Sequence, residues 1–298
     1  MPKRAKRARR KKRTHGIIAF QGEAGAYSDV ACRAAYPGMK TLPCNSFEDV
    51  FAAVESGRAR LAMIPVENSV AGRVAEIHSL LPHTGLYIVA EHFQRVVHHL
   101  LAPRGASLAG IRTVHSHVHA LSQCRNFIRR HKLNPVVHAD TAGAAGEVAL
   151  KGNRSAAAIA SELAGKIYGL KTLKSGIEDA QHNTTRFLVL ARRPVDPDPK
   201  KGKVLTSFVF RVRNVPAAVF KALGGFATNG VNMTKLESYM IGGEFSSAQF
   251  YADVEGHPKE QNLKLAFEEL AFFSHEVKIL GVYYAHPFRY RARKHRRR

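Results

Sequence analysis

Asn183-Thr184-Thr185-Arg186-Phe187-Leu188-Val189-Leu190 sets an amide, two hydroxyls and a guanidinium directly before a short apolar run. That run is rich in strand formers and predicts a buried strand. A polar cluster at the mouth of a buried strand is how an α/β protein presents groups to a ligand. Arg186 is suited to gripping a carboxylate or phosphate through two parallel hydrogen bonds. The plainer alternative is a capped strand entry with a surface arginine, and the surrounding chain has to decide between them.

Upstream, strands and helices alternate. Gly16–Phe20 predicts a strand, and the loop Gln21–Tyr27 leads to Ser28 as the cap of a helix ending near Pro37-Gly38. The G-x-x-G spacing of Gly22 and Gly25 matches neither common phosphate loop. Ser46 caps a clearer helix, with Phe47, Val50, Phe51 and Val54 on one stripe. The strand Leu61–Val66 then runs into a second polar cluster, Glu67-Asn68-Ser69, followed by Gly72. A helix around 74–81 and a strand 86–89 complete a pattern that implies a parallel sheet covered on both faces. From 91 to 182 the pattern repeats: a strand 111–114, a helix capped by Ser116 and running to about His131, a strand at 136–137, an Ala-rich helix 142–150, a strand 156–160 and a helix capped by Ser161. The strand at 187–190 is expected to rejoin the first lobe. The reading is therefore two α/β lobes around a cleft, 16–90 with 183–192 and 91–182.

His115-x-His117-x-His119 alternates as metal ligands on one strand face would. Ser116 reads as a helix cap, however, and on a helix these positions do not share a face. No metal site is expected.

Residues 193–203 read as a linker, with three prolines and alternating charge in Arg192–Lys200. Beyond it lie a strand 205–212, a helix opened by Asn214 and Pro216 and stopped by Asn229-Gly230, and strands near 232–239 and 246–254 joined by Gly242-Gly243. A helix from Pro258 and a strand 277–284 follow. That is β-α-β-β-α-β, the ferredoxin-like arrangement, which by itself implies no function.

The net charge of +23 is largely a property of two tails. Residues 1–15 hold nine Lys/Arg and residues 289–298 hold seven, with no acid in either, so the body carries only +7. Such blocks cannot collapse and read as disordered, solvated tails. Binding of nucleic acid or anionic lipid is the sharper alternative for them. The first tail has no apolar segment and is no secretory signal. No run approaches the roughly 20 apolar residues of a membrane span. Cys32, Cys44 and Cys124 are an odd set without C-x-x-C spacing, which fits a reducing, cytoplasmic location.

These motifs, in this order, resemble bacterial prephenate dehydratases that carry a C-terminal ACT regulatory domain. The likeness runs through Ala19-Phe20-Gln21-Gly22 with Gly25 and Ser28, and Ile64–Ser69 with Gly72. It continues through Ser116-His117 with Gln123-Cys124, Thr141-Ala142, Tyr168-Gly169-Leu170 and Asn183–Phe187. It covers about 16–288. It implies a bilobal catalytic domain shaped like periplasmic binding proteins, followed by a ferredoxin-like ACT domain at 204–288. It implies conversion of prephenate to phenylpyruvate with loss of water and carbon dioxide, the dehydratase step of phenylalanine biosynthesis, without metal or organic cofactor.

The resemblance ties Thr185 to activity as donor to the ring hydroxyl. It places Glu67, Asn68 and Ser69 in the catalytic cluster, Glu67 either as a protonated acid or, if ionised, orienting its neighbours. Arg186 is the natural carboxylate anchor, and Thr184, Asn183, Phe187, Ser116, Gln123, Gln21 and Ser28 complete the substrate site. For phenylalanine as effector, the matching positions are Asn214, Ala217, Ala218, Val219, Asn232, Leu236, Glu237 and Ser238. The pattern departs there: the usual Gly-Ala-Leu reads Ala217-Ala218-Val219, and the usual Glu-Ser-Arg-Pro reads Glu237-Ser238-Tyr239-Met240. A homodimer or homotetramer through the ACT domains is expected. The alternatives are the same chemistry on arogenate, a non-catalytic small-molecule sensor, and nucleic-acid binding through the tails.

Overall fold

The computed structural model describes residues 15–213, 215–241 and 244–290. The basic stretches 1–14 and 291–298, Asn214 and the expected Gly242-Gly243 turn lie outside the described residues. A first run of elements holds β1 (His15–Gln21), α1 (Tyr27–Ala35), β2 (Met39–Cys44), α2 (Phe47–Glu55), β3 (Leu61–Asn68), β4 (Gly72–Arg73), α3 (Ala75–Leu80) and β5 (Tyr87–Arg95). A second holds β6 (His99–Ala102), β7 (Thr113–Ser116), α4 (Val118–Gln123), α5 (Arg125–Arg130), β8 (Asn134–Val137), α6 (Thr141–Lys151), β9 (Ala156–Ala160), α7 (Glu162–Tyr168) and β10 (Lys171–Ser175). Then come β11 (Thr184–Ala191), β12 (Val204–Val212), α8 (Ala218–Thr228), β13 (Met233–Ile241), β14 (Glu244–Glu255), α9 (Gln261–Phe273) and β15 (Ser274–Tyr284).

Three sheets result. The first has the order β2-β1-β3-β11-β5, with β4 on β3; the second is β10-β6-β9-β7-β8; the third is β13-β14-β12-β15. In the first, β1, β2 and β3 are parallel, while β11 enters antiparallel between β3 and β5. The strand at 187–190 thus rejoins the first lobe, as the sequence implies. The second sheet is likewise mixed, with β7 parallel to β8 and β9 and with β6 antiparallel to β9. The third is wholly antiparallel, in the strand order that a ferredoxin-like β-α-β-β-α-β chain produces.

Side-chain alternation along β11 decides what each face meets. Phe187 and Val189 pack with Ile18, Phe20 and Met63 against Leu101, Ala142, Ala158 and Ala164 of the second lobe. Leu188 and Leu190 face the other way, onto a core shared with α2, α3 and the third-sheet residues Leu205, Val209, Tyr251, Leu280 and Tyr283. The opposite face of the third sheet is covered by α8 and α9 through Phe208, Phe226, Leu263 and Leu270. The first sheet is therefore the middle layer of the molecule.

Several local expectations need correction. Ser28 is not a cap: α1 starts at Tyr27, because the Asp29 carboxylate accepts from Gly25 N at 2.9 Å and fixes the turn one residue earlier. Ser116 is not a cap either. It is the buried last residue of β7 and donates to Ile159 O, while the His117 ring accepts from His119 N at 3.3 Å. The helix expected up to His131 is two, broken at Cys124, whose ψ of 23° departs from the helical value. Strands β6 and β10 were not expected. Arg289 belongs to no solvated tail; it pairs with Glu91 at 2.7 Å.

Candidate active site

The cleft-side cluster forms where β3 ends and β11 begins. Thr185 lies opposite Asn68, and Arg186 opposite Glu67. Asn68 Nδ2 donates to Thr185 Oγ1 at 2.9 Å and to Asn183 Oδ1 at 2.7 Å. Asn68 Oδ1 accepts from the backbone N–H of Val70 and Ala71 at 2.9 and 2.8 Å, so its amide is oriented by the chain itself. Ser69 braces the same corner: its hydroxyl donates to His182 O at 2.9 Å and accepts from Thr184 N at 3.0 Å, and Thr184 Oγ1 donates to His182 O. Thr185 thus receives a hydrogen bond on its oxygen and keeps its own proton available.

From Asn183 the cluster crosses to the second lobe. Asn183 Nδ2 donates to Gln123 Oε1 at 2.8 Å, and the same oxygen lies 2.8 Å from His98 Nε2. His98 Nδ1 lies 2.9 Å from Tyr27 Oη, and His98 N donates to Glu178 Oε2 at 2.9 Å. Asn183, His98 and Thr185 are all buried. Burial holds His98 below its usual range, against the hydrogen bond to Gln123, so the ring is neutral at pH 7. His98 and Tyr27 were not singled out in the sequence; the histidine sits in Val96-Val97-His98-His99, where an apolar crossover carries two rings.

Arg186 and Glu67 are turned to the opposite face, which corrects both expectations. The register between β3 and β11 slips by one residue at Val66. Plain alternation from Met63 would aim Glu67 into the cleft; the slip aims it at the third sheet and delivers Asn68 to the cleft instead. Arg186 is 2% exposed. It pairs with Asp253 at 2.7 Å, Glu91 at 2.9 Å and Glu67 at 3.2 Å, and donates to Tyr283 Oη at 3.1 Å. Burial works against that guanidinium's charge, but Asp253 and the surrounding groups outweigh it and raise its pKa further. A group so committed has no fork left for a substrate carboxylate. Burial likewise opposes an ionised Glu67, yet Arg186 and Lys235, the latter at 2.6 Å, hold its carboxyl below the ordinary range. It is ionised and orients neighbours, and cannot serve as a protonated acid.

Phe187 is core, not cleft lining, as is Ser116. Gln21 is half-buried at the end of β1 and reaches Asn45 O at 3.5 Å; Ser28 is buried in the first turn of α1. Of the effector positions, Ala217 caps α8 and Ala218 and Val219 open it, while Asn232 precedes β13 and Leu236, Glu237 and Ser238 lie on it. Glu237 pairs with Lys235 at 3.1 Å and with Arg73 at 3.5 Å, and Arg73 also donates to Ser238 O at 2.9 Å. No cluster of three or more metal-ligating side chains exists among the described residues. None of their helices is long and apolar enough to cross a membrane.

Residues 18–195 match the family model described as prephenate dehydratase. The bifunctional N-acyl-homoserine lactone acylase/prephenate dehydratase of Komagataeibacter europaeus is 55% identical over 92% of this chain and 97% of its own length. Arogenate dehydratase/prephenate dehydratase 2, chloroplastic, of Arabidopsis thaliana is 38% identical over 89% of this chain and 72% of its own. The solved prephenate dehydratase of Arthrobacter aurescens in complex with L-Phe superposes with a TM-score of 0.82 at 27% identity, covering 90% of both chains. A cleft built on the Thr185–Asn68 pair and a match spanning both lobes lead to one conclusion: the chain belongs to the prephenate dehydratase family.

Proposed function

We propose that the Thr185 hydroxyl is the donor that meets the departing ring hydroxyl of prephenate. The protein is a prephenate dehydratase, a hydro-lyase of phenylalanine biosynthesis. In that reaction the ring carboxylate leaves as carbon dioxide, and its bonding electrons enter the ring. The C–O bond to the hydroxyl breaks, and the oxygen departs as water after taking a proton. Charge therefore grows on that oxygen, and a prepositioned donor lowers the barrier. The observation that carries the reading is the Asn68 Nδ2–Thr185 Oγ1 bond at 2.9 Å, which fills the acceptor side of the hydroxyl and leaves its O–H to point into the cleft. Threonine is too weak an acid to release the proton itself, so its role is hydrogen bonding and placement. With Arg186 committed elsewhere, a substrate carboxylate falls to the N-terminus of α1, which follows β1 and has no side-chain cap, whereas the Asp140 carboxylate already caps α6.

Thr185→Val is expected to lower kcat by about 10²- to 10³-fold with KM changed far less, the usual effect of removing one such donor. Near wild-type turnover of prephenate would remove Thr185 from the mechanism. Arogenate differs by one amino group, and the Arabidopsis relative's name carries both activities; the same assay on both substrates ranks them.

Two further readings have specific support. Phenylalanine binds at the ACT domain: Glu237 and Ser238 are tied through Arg73 to the strand that follows the Asn68–Ala71 corner, a direct route from effector strand to donor. Calorimetry with phenylalanine tests this, and absence of both heat and inhibition sinks it. Hydrolysis of N-acyl-homoserine lactones is a second activity, favoured by 55% identity to a relative whose name carries it. Acid release from such an amide by wild-type enzyme, and its survival in Thr185→Val, would establish a separate site.

A further inference from the structure

We propose that His98 is a positioning residue for Thr185, fixing the direction of its hydroxyl from the second lobe through Gln123, Asn183 and Asn68. The assignment of every donor in this chain is forced from one end. The backbone N–H groups of Val70 and Ala71 can only donate, so the Asn68 atom they meet is Oδ1. Its Nδ2 therefore faces Thr185 Oγ1 and Asn183 Oδ1. Asn183 must then present Nδ2 to Gln123, and Gln123 must answer with Oε1. That oxygen is 2.8 Å from His98 Nε2, and two acceptors cannot bond, so Nε2 carries the hydrogen. Nδ1 is left as the acceptor 2.9 Å from the Tyr27 hydroxyl, which also lies 2.8 Å from Val97 O and has one hydrogen to serve the two; the tyrosine ring stands edge-on to the imidazole at 5.4 Å between centroids.

The reverse logic gives His98 its role. Were the hydrogen on Nδ1, the lone pairs of Nε2 and Gln123 Oε1 would oppose each other. Gln123 would have to turn its amide over and set two donors face to face with Asn183. The conflict would pass to Asn68, which cannot flip against Val70 and Ala71 and would release either Asn183 or Thr185. The members come from α1, the β5–β6 crossover, α4, the segment before β11 and the end of β3, so the chain also ties the two lobes together. His98 is buried behind Gln123 and touches no reacting atom, so it acts by placement alone.

Two amide substitutions separate this from a packing role. Glutamine at 98 carries its N–H where Nε2 lies; asparagine carries it where Nδ1 lies. His98→Gln is expected to keep kcat within about 3-fold, and His98→Asn to lose about 10- to 100-fold in kcat with KM within about 3-fold, the scale of a misplaced catalytic group. Equal losses in the two variants, or losses confined to KM, overturn the proposal. Thermal melts qualify both proteins as folded. Should either fail to fold, 15N NMR of the imidazole in the wild-type enzyme decides: the hydrogen on Nε2 is expected, and a hydrogen on Nδ1 overturns it.

Discussion

Ala217 holds φ at +61°, a left-handed conformation, while acting as the N-cap of α8. Its Cβ crowds the following carbonyl oxygen there, at a cost of roughly 1–2 kcal/mol that glycine escapes. Glycine also loses more chain entropy on folding, which offsets part of the gain. Ala217→Gly is therefore expected to raise stability by about 0.5–1 kcal/mol, read as an upward shift of the urea midpoint. It also removes a methyl at an effector position, so phenylalanine binding is expected to tighten in the same variant. At this scale the sequence was partly legible. Thr185, Asn68, Asn183 and Gln123 are polar side chains at strand and helix ends, and the structure brings them together. Glu67 misled because the register slip at Val66 reverses the faces of Glu67 and Asn68, and no composition rule announces a bulge; Arg186 instead follows the plain alternation of β11, on the face of Leu188 and away from Thr185.

Helix α3 carries a polar oddity under the third sheet. His78 is buried with both ring nitrogens unpaired among the described residues, edge-on to Tyr251 at 5.3 Å. Burial first, and Lys235 second, push its pKa from 6.5 down to about 4. Because the folded value is depressed, the unfolded chain binds the proton more readily. Stability is complete above about pH 6.5 and falls as pH drops from there toward about 4. His78→Phe is expected to flatten that part of the stability–pH curve measured by urea unfolding; an unchanged slope would place the acid sensitivity elsewhere. Among elements, long periodic segments such as α2 and α9 were readable, and Ser46 does cap α2, accepting from Asp49 N at 3.1 Å. The short strands β6 and β10 were not, since four or five residues without turn signals carry no period.

At the scale of the molecule, the first and third sheets share a core that contains charge. Asp253 of β14 is buried and meets Arg186 at 2.7 Å, while Glu91 of β5 accepts both Arg186 and Arg289. Burial opposes ionised Asp253, but Arg186 and the Ser207 hydroxyl outweigh it and lower its pKa. Its contribution is therefore present above the ordinary carboxylate range, near about pH 4, and is lost as pH falls below it. Asp253→Asn is expected to lose about 2–4 kcal/mol in urea unfolding at pH 7 and to blunt that acid loss, because a buried cation is left short of a partner. Glu91 and Asp253 could have been noticed in the sequence as lone acids in apolar, strand-like stretches, the first directly after Ile88–Ala90 and the second within Phe250–Val254. What no local reading supplies is that both acids serve the arginine next to Thr185.

One strand thus has two clients: Thr185 belongs to the cleft, and its neighbour Arg186 belongs to the sheet that follows the linker. The segment that matches the family, residues 18–195, is consequently not a detachable part. Cut from the chain after the linker, it would keep Glu91 and Glu67 beside Arg186 but lose Asp253 and Tyr283, and it would carry the stripped side of Leu188, Leu190 and Ile88 on its surface. The same holds in the opposite direction: a foreign regulatory module grafted onto this catalytic half would need to cover that apolar side and replace the acid that Asp253 supplies to Arg186.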